Sequence, residues 1–152
     1  MRSTGPHTRF RAVHVGGTNG KGSVCGADRT HAARGGLRTG LTTSPHLVDF
    51  RERIRIAGRW LGEDELEARL DHIQGLEAAR GRTFFEIATV LGFDALARHR
   101  VEWAVVEVGL GGRLDATNVL DPRWRRSRRS GSTTPRSWGT TWRRSRARRR
   151  GS

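Results

Sequence analysis

The fold is constrained first by a β-rich segment that runs directly into a glycine-rich loop. Residues 10–15 alternate imperfectly between polar and apolar side chains, and two glycines follow them. A helix is predicted over residues 21–34, where a second glycine pair supplies the C-cap. A strand, a glycine-rich turn and a helix in that order are typical of an α/β domain.

The rest of the pattern extends this unit. Strands are predicted over residues 37–43 and 103–108, with a short extended piece at 53–56. Apolar residues at helical spacing predict one helix within 63–80 and another over 84–99. We therefore predict an α/β fold, with a parallel sheet and flanking helices like those of P-loop NTPases.

The loop between the first strand and the first helix carries residue types that bind phosphate. It reads Thr18-Asn19-Gly20-Lys21-Gly22-Ser23, and Lys21 is the only lysine of the chain. Glycines allow successive backbone N–H groups to converge on an anion, and the helix N-terminus adds partial positive charge. We expect Lys21 to reach phosphate oxygens and the Ser23 hydroxyl to reach phosphate or Mg²⁺. The alternative is an ordinary glycine-rich turn, and the position of the lone lysine favours a nucleotide site.

Four motifs, in order, resemble those of one family. The loop at 17–23, in which a glycine separates the lysine from the serine, is similar to that of folylpolyglutamate and dihydrofolate synthases, members of the Mur-ligase superfamily. Residues 43–47 (Thr-Ser-Pro-His-Leu), 83–86 (Thr-Phe-Phe-Glu) and 107–118 (Glu-Val-Gly-Leu-Gly-Gly-Arg-Leu-Asp-Ala-Thr-Asn) resemble three further motifs. The resemblance covers residues 10–122 and implies a partial Mur-ligase central domain.

The resemblance implies an ATP-dependent ligase that joins L-glutamate to dihydropteroate or a reduced folate through an acyl phosphate. Such a reaction depends on positioning and charge neutralisation, so ATP, Mg²⁺ and a catalytic Lys21 are expected. The single cysteine excludes an internal disulfide and suits a cytoplasmic protein. We expect a monomer whose partners are these small molecules, with no membrane and no specific nucleic acid.

Glu107 follows a predicted buried strand, at the edge where α/β sheets bind ligands. A carboxylate there suits Mg²⁺, so we predict that Glu107 is a catalytic metal ligand, although a lone glutamate would more simply be a solvated strand end. By resemblance, Ser44 supplies a second metal oxygen.

The resemblance also implies a pterin pocket. An aromatic side chain would stack on the ring and Glu86 would accept its N–H donors, while one of the two adjacent phenylalanines is expected in the core. His46 is expected to be structural. The substrate-binding residues expected from the resemblance are Thr83, Phe84, Phe85, Glu86, Arg113, Leu114 and Asp115.

The positive charge of the chain is concentrated in its last 30 residues. Residues 123–152 hold 12 Arg, no Asp or Glu, and no Leu, Ile, Val or Phe. Subtracting these 12 charges from the net +14 leaves +2 for residues 1–122. We expect a partial ATP-binding domain over 1–122 and a disordered tail over 123–152, because so little apolar surface cannot offset the entropy of folding.

The composition of this tail is compatible with a change of reading frame by one base. The Trp codon TGG overlaps NTG, for Leu, Met or Val, and the Thr codon ACN overlaps NAC, which can encode Asp or His. Read one base earlier, residues 124–134 permit Val-Ala-Ala-Val-Thr-Ser-Ile-Gly-Leu-Asp-His. The resemblance requires such a strand and histidine, followed by Glu-Lys-Ala-Gly, which the later tail also permits. We expect an inactive N-terminal fragment with an out-of-frame tail and a start that is also shorter than the family's.

A different class of function is a nucleotide-binding domain with a nucleic-acid-binding tail. Arginine clusters interleaved with Trp124, Trp138 and Trp142 would suit phosphate contact and base stacking. The coding DNA discriminates, because a shifted frame would leave an open frame one base away that continues with ligase motifs. A third candidate, a peptidoglycan-type Mur ligase, is disfavoured by Gly22 and by residues 83–86.

Overall fold

A seven-stranded sheet is the framework of this computed structural model, which describes residues 5–17, 36–109, 115–120, 124–128 and 141–144. The strands, in chain order, are β1 (Arg11–Gly17), β2 (Thr39–Thr42), β3 (Ile54–Ile56), β4 (Arg59–Trp60), β5 (Trp103–Glu107), β6 (Trp124–Arg128) and β7 (Thr141–Arg144). In space their order is β4-β3-β2-β5-β1-β6-β7.

The four central strands, β2, β5, β1 and β6, run parallel. The sequence predicted three of them in a parallel sheet, whereas β6 lies in the segment that was expected to be disordered. β5 lies between β2 and β1, so that Thr39 and Arg11 are both in register with Trp103. β6 lies on the other side of β1, where Val13 is in register with Trp124. The outer strands β3, β4 and β7 pair antiparallel, and the whole sheet is therefore mixed. The carboxyl ends of the parallel strands share one edge, which is where ligands bind in open α/β sheets.

Two α-helices are described, α1 (Glu63–Gln74) and α2 (Phe84–Arg98). The helix predicted within 63–80 is shorter than expected, because α1 ends before Gly75 and only a 3₁₀ turn, Glu77–Ala79, follows. Ile73 is the last buried side chain of α1, and residues 74–78 are exposed, so no apolar contact stabilises a continued helix. Neither described helix has the length and apolar character needed to cross a membrane.

α2 supplies much of the core on one face of the sheet. Leu96 packs with Ala12, Ala104 and Val106 of the central strands. Gly40 of β2 permits this close approach, because a Cβ placed there would lie 2.1 Å from Cδ2 of Leu96. The helix and the sheet are therefore matched in shape at this contact.

Apolar side chains also cover the opposite face of the sheet. Val15, Leu41 and Val105 form a cluster there, since successive side chains of a strand point to alternate faces. The helix predicted over residues 21–34 would be expected on this face, but it lies outside the described residues.

Two pieces of the arginine-rich tail are strands, which departs from the disorder expected there. β6 pairs with β1, and β7 pairs with β6. The hydrogen bonds of a β-ladder join backbone groups and therefore form whatever the side chains are. Without β6, β1 would be an edge strand with unpaired backbone N–H and C=O groups. The rest of residues 129–152 lies outside the described part, and the division into a domain and a tail stays a prediction.

Candidate functional site

The candidate site lies where β2 and β5 end beside the first turn of α2. A small cavity of about 30 Å³ is found there. Polar side chains from distant parts of the chain meet in its wall, together with one aromatic ring: Thr42, Thr43, Ser44, Arg53, Glu107, Thr117 and Phe85.

Glu107 is the carboxylate of this cavity. Its residue is only 6% exposed, and its Oε2 accepts a hydrogen bond of 2.9 Å from the backbone N–H of Ser44. The peptide bond from Ser44 to Pro45 is cis. The two residues predicted as metal ligands, 63 positions apart in the chain, are thus brought together.

The donor atoms of this pair fit a magnesium ion. Among the residues that the structure describes, no group of three or more His, Cys, Asp or Glu is placed to hold a metal. Mg²⁺ does not require such a cluster, because one or two carboxylates commonly hold it together with substrate phosphates and water. The Glu107 carboxylate and the Ser44 hydroxyl are both oxygen donors of the kind that Mg²⁺ accepts, and both residues line the cavity.

The phosphate loop itself, Thr18-Asn19-Gly20-Lys21-Gly22-Ser23, lies outside the described residues. Its starting point is nevertheless placed, because β1 ends at Gly17 and Val15 is in register with Glu107. The loop therefore begins beside the strand end that carries the candidate metal ligand.

Arg53 is a functional candidate without a local sequence signal. Burial lowers the pKa of its guanidinium, while attraction to the Glu107 carboxylate acts in the opposite direction. An arginine stays protonated under these conditions, so the cavity contains a partly buried cation as well as a carboxylate. Such a cation can neutralise charge on an anionic substrate. The sequence alternates Arg and Ile here, which is equally typical of a surface strand.

Neighbouring side chains hold Arg53 in place. Its Nε–H donates to Nδ1 of His46 at 2.9 Å, which agrees with the structural role expected for this histidine. Its guanidinium carbon lies 5.5 Å from the ring centre of Phe50 and 5.4 Å from that of Phe84. Cation–π contacts of this kind orient the guanidinium group.

Phe84 and Phe85 occupy different environments, and neither is fully buried. Phe84 is 62% exposed. Phe85 is half-buried in the cavity wall, and its ring lies so close to Gly109 that a Cβ there would be 2.1 Å from Cζ. The expectation that one of them belongs to the core is wrong, because the first turn of α2 faces the cavity and its later turns cover the sheet.

Thr83 and Glu86 form a capping box at the start of α2. The Glu86 N–H donates to Thr83 Oγ1 at 3.2 Å, and the Thr83 N–H donates to Glu86 Oε2 at 2.9 Å. The N–H and the hydroxyl of Thr83 both donate to the Glu86 carboxylate, and these two hydrogen bonds hold its pKa below the ordinary value. Arg82 also lies 3.5 Å from Oε1. The carboxylate thus has a structural role, and its role in substrate binding stays a prediction.

A larger cavity, of about 340 Å³, also has Glu86 in its wall. Its lining is mainly apolar and comes from both helices and from the turns at 6–8 and 116–119. Arg82 is the second charged side chain of this wall. A flat ring with a few polar atoms matches such a lining.

Asp115 is the one described member of the predicted group at 113–115; Arg113 and Leu114 lie outside the described residues. Asp115 is 7% exposed, and it caps the 3₁₀ turn Ala116–Val119. Its Oδ1 accepts from the N–H of Thr117 at 3.0 Å and from the Thr117 hydroxyl at 2.5 Å. The carboxylate is therefore engaged with its own turn.

Comparisons with known proteins identify relatives of this chain. The chain is 42% identical over 117 residues to folylpolyglutamate synthase from Arabidopsis thaliana, covering 73% of this chain and 19% of that protein. It is 39% identical over 124 residues to dihydrofolate synthase/folylpolyglutamate synthase from Bacillus subtilis, covering 77% of this chain and 29% of that protein. No family model matches.

A solved structure gives the same result for the fold. The bifunctional folylpolyglutamate synthase/dihydrofolate synthase from Yersinia pestis, complexed with AMPPNP and Mn ion, matches with a TM-score of 0.71 and 38% identity. The match covers 78% of this chain and 29% of that one, so the chain spans less than a third of each of these relatives. Over about three quarters of its length, the chain belongs to the folylpolyglutamate/dihydrofolate synthase family.

Proposed function

We propose that the protein represented by this chain is an ATP-dependent ligase that adds L-glutamate to dihydropteroate, to a reduced folate, or to both. The observation that carries the proposal is the buried Glu107 carboxylate, which accepts a hydrogen bond from the backbone N–H of Ser44. Glu107 is also in register with Val15 of β1, the strand that leads into the loop at 18–23. A related enzyme binds AMPPNP and Mn with the same fold, which supports a nucleotide and a divalent metal here.

In the proposed reaction, a substrate carboxylate attacks the γ-phosphorus of ATP, and ADP leaves. The amine of L-glutamate then attacks the acyl carbon of the acyl phosphate, inorganic phosphate leaves, and the amine loses a proton as the amide forms. The side chains of this chain contribute binding and charge neutralisation rather than covalent chemistry. Lys21 would contact the phosphates together with the N–H groups of the loop at 18–23.

Glu107 and Ser44 would hold Mg²⁺, which when bound neutralises phosphate charge and aligns the transferred group. Arg53 supplies a second positive charge close to Glu107, and its planar guanidinium suits a carboxylate or a phosphate. The proposal is supported by the shared position of Ser44, Glu107 and Arg53 in the wall of the same small cavity.

The pterin-bearing substrate would bind beside the first turn of α2. The exposed ring of Phe84 offers a stacking surface, and the larger apolar cavity has room for a flat heterocycle. We retain Thr83, Phe85, Glu86, Arg113, Leu114 and Asp115 as further candidates for this pocket. We propose a cytoplasmic monomer whose partners are small molecules, because a single cysteine suits a reducing compartment.

We also propose that the chain leaves its original reading frame after Pro122. In the sheet, β6 is an inner strand between β1 and β7. Inner parallel strands are covered on both faces and are usually rich in apolar residues, whereas Trp124–Arg128 contains three arginines. Read one base earlier, the same segment permits Val-Ala-Ala-Val-Thr, which suits that position. Sequencing the gene across the Pro122 codon tests this, and a stop codon soon after it in the neighbouring frame would contradict the proposal.

The activity is tested by glutamate-dependent release of ADP, with dihydropteroate or a reduced folate as acceptor. We expect turnover by a complete protein with the frame restored and none by the 152-residue chain. The chain as written does not contain the histidine and the Glu-Lys-Ala-Gly segment that the restored frame would supply, and it spans only 29% of the Bacillus subtilis relative. Absence of glutamate-dependent turnover in the restored protein would contradict the proposed function.

A further inference from the structure

Three buried polar side chains form a continuous chain of hydrogen bonds beside the candidate site. His14 of β1 and Thr117 are each 3% exposed, and Asp115 is 7% exposed. Nε2 of His14 lies 2.7 Å from Oγ1 of Thr117, whose hydroxyl lies 2.5 Å from Oδ1 of Asp115. Buried polar groups of this kind are costly unless their hydrogen bonds are made, so the three are expected to act together.

The positions of the protons in this series of hydrogen bonds follow from the number of donors. Oδ1 of Asp115 accepts both the N–H and the hydroxyl proton of Thr117. An ionised Asp115 carboxylate can only accept, so the single hydroxyl proton of Thr117 is used toward it, and the Thr117 oxygen has only lone pairs left for His14. Nε2 of His14 must then carry a proton and donate it to Thr117.

The chain of hydrogen bonds joins two parts of the proposed active site. His14 lies on β1, three residues before Gly17, where the phosphate loop begins. Thr117 lines the small cavity that also contains Glu107. Asp115 belongs to the glycine-rich motif at 107–118 that follows β5. A side chain on β1 thus fixes the turn beyond β5 relative to the start of the phosphate loop.

We propose that His14 is a positioning residue: through its Nε2–H and the Thr117 hydroxyl, it sets the orientation of Asp115 and of the turn at 115–119. The effect on substrate binding rests on the function proposed above. The orientation itself does not, because it concerns contacts within the described chain.

The first test is the protonation state of the His14 ring, measured by long-range proton–nitrogen NMR on the 152-residue chain. We expect a proton on Nε2, and a ring protonated on Nδ1 alone would overturn the proposal. The measurement needs no substrate, so its failure is distinct from a failure of the proposed function.

The second test compares conservative and disruptive substitutions on the same chain. Thr117→Ser keeps the hydroxyl and His14→Gln keeps an N–H donor, whereas Thr117→Val and His14→Leu remove one partner. We expect protection of the Thr117 amide from hydrogen exchange to fall about tenfold or more in the disruptive pair and to stay within about twofold of the native value in the conservative pair. Equal protection in all four variants would overturn the proposal.

Dihydropteroate binding provides the link to function. If the native chain binds it, Thr117→Val should weaken binding about tenfold while Thr117→Ser restores it. Equal affinities of the two variants would overturn the role of His14 and Thr117 in the substrate site. A native chain that does not bind dihydropteroate would count against the proposed substrate, and the ring protonation and amide protection would still decide the orientation.

Discussion

Replacing Thr83 by alanine tests the structural role of the motif at 83–86, which caps the start of α2. The Thr83 hydroxyl accepts the N–H of Glu86 at 3.2 Å and donates to Glu86 Oε2 at 2.9 Å. Alanine removes both hydrogen bonds. The backbone N–H at position 83 keeps its 2.9 Å bond to the same carboxylate, so only part of the capping box is lost.

The expected loss follows from these contacts. Replacing a threonine N-cap by alanine lowers the free energy of unfolding by about 1 kcal/mol, within a range of about 0.5–2 kcal/mol. For a chain of 152 residues, about 1 kcal/mol corresponds to a fall in Tm of about 2–4 °C. Serine at position 83 keeps the hydroxyl oxygen, so the free energy of unfolding of Thr83→Ser should lie within a few tenths of a kcal/mol of the native value.

Thermal unfolding followed by circular dichroism measures this change, and Thr89→Ala in the same helix is a matched control. The Thr89 hydroxyl donates to the carbonyl oxygen of Phe85 within α2, an arrangement that stabilises a helix little. Because alanine has the higher helix propensity, Thr89→Ala should be neutral or slightly stabilising. Equal destabilisation by the two substitutions, or none by Thr83→Ala, would refute the capping interpretation.

Two further predictions concern the core and the loop after β2. Leu91→Ala should lower the free energy of unfolding by about 2–5 kcal/mol, because Leu91 is fully buried. Leu47 is 90% exposed, so Leu47→Ala should change the free energy of unfolding by less than about 0.5 kcal/mol. Denaturant titration measures both. Backbone N–H groups of residues 47–49 lower the pKa of Glu52 from 4.5. Their protection from hydrogen exchange should therefore be full above about pH 4.5 and be lost as the pH falls through the lowered pKa; a constant protection factor across that range would contradict this.

Local patterns were sufficient to predict most of the framework. The strands at 11–17, 39–42 and 103–107 and the helix at 84–98 lie within about two residues of their predicted bounds. The meeting of Ser44 and Glu107 was also predictable from the sequence with the resemblance, because parallel strands end at one edge of the sheet.

Features that depend on distant partners were not predictable in this way. Arg53 gains its position partly from Glu107 and Phe84, which are far from it in sequence, as well as from the nearby His46 and Phe50. The hydrogen bond between His14 and Thr117 joins residues 103 positions apart. Similarly, β4 follows a turn in which Ala57 adopts a positive φ of 48°, a conformation for which alanine gives no signal.

Broadening of amide NMR signals by Mn²⁺ in the presence of ADP tests the proposed metal and nucleotide site most directly. We predict selective broadening of the amides around Ser44 and Glu107 that requires ADP and is lost in Glu107→Gln. The substitution Glu77→Gln, at an exposed turn after α1, should leave the broadening unchanged. Broadening centred elsewhere in the chain, or equally strong in Glu107→Gln, would contradict the account.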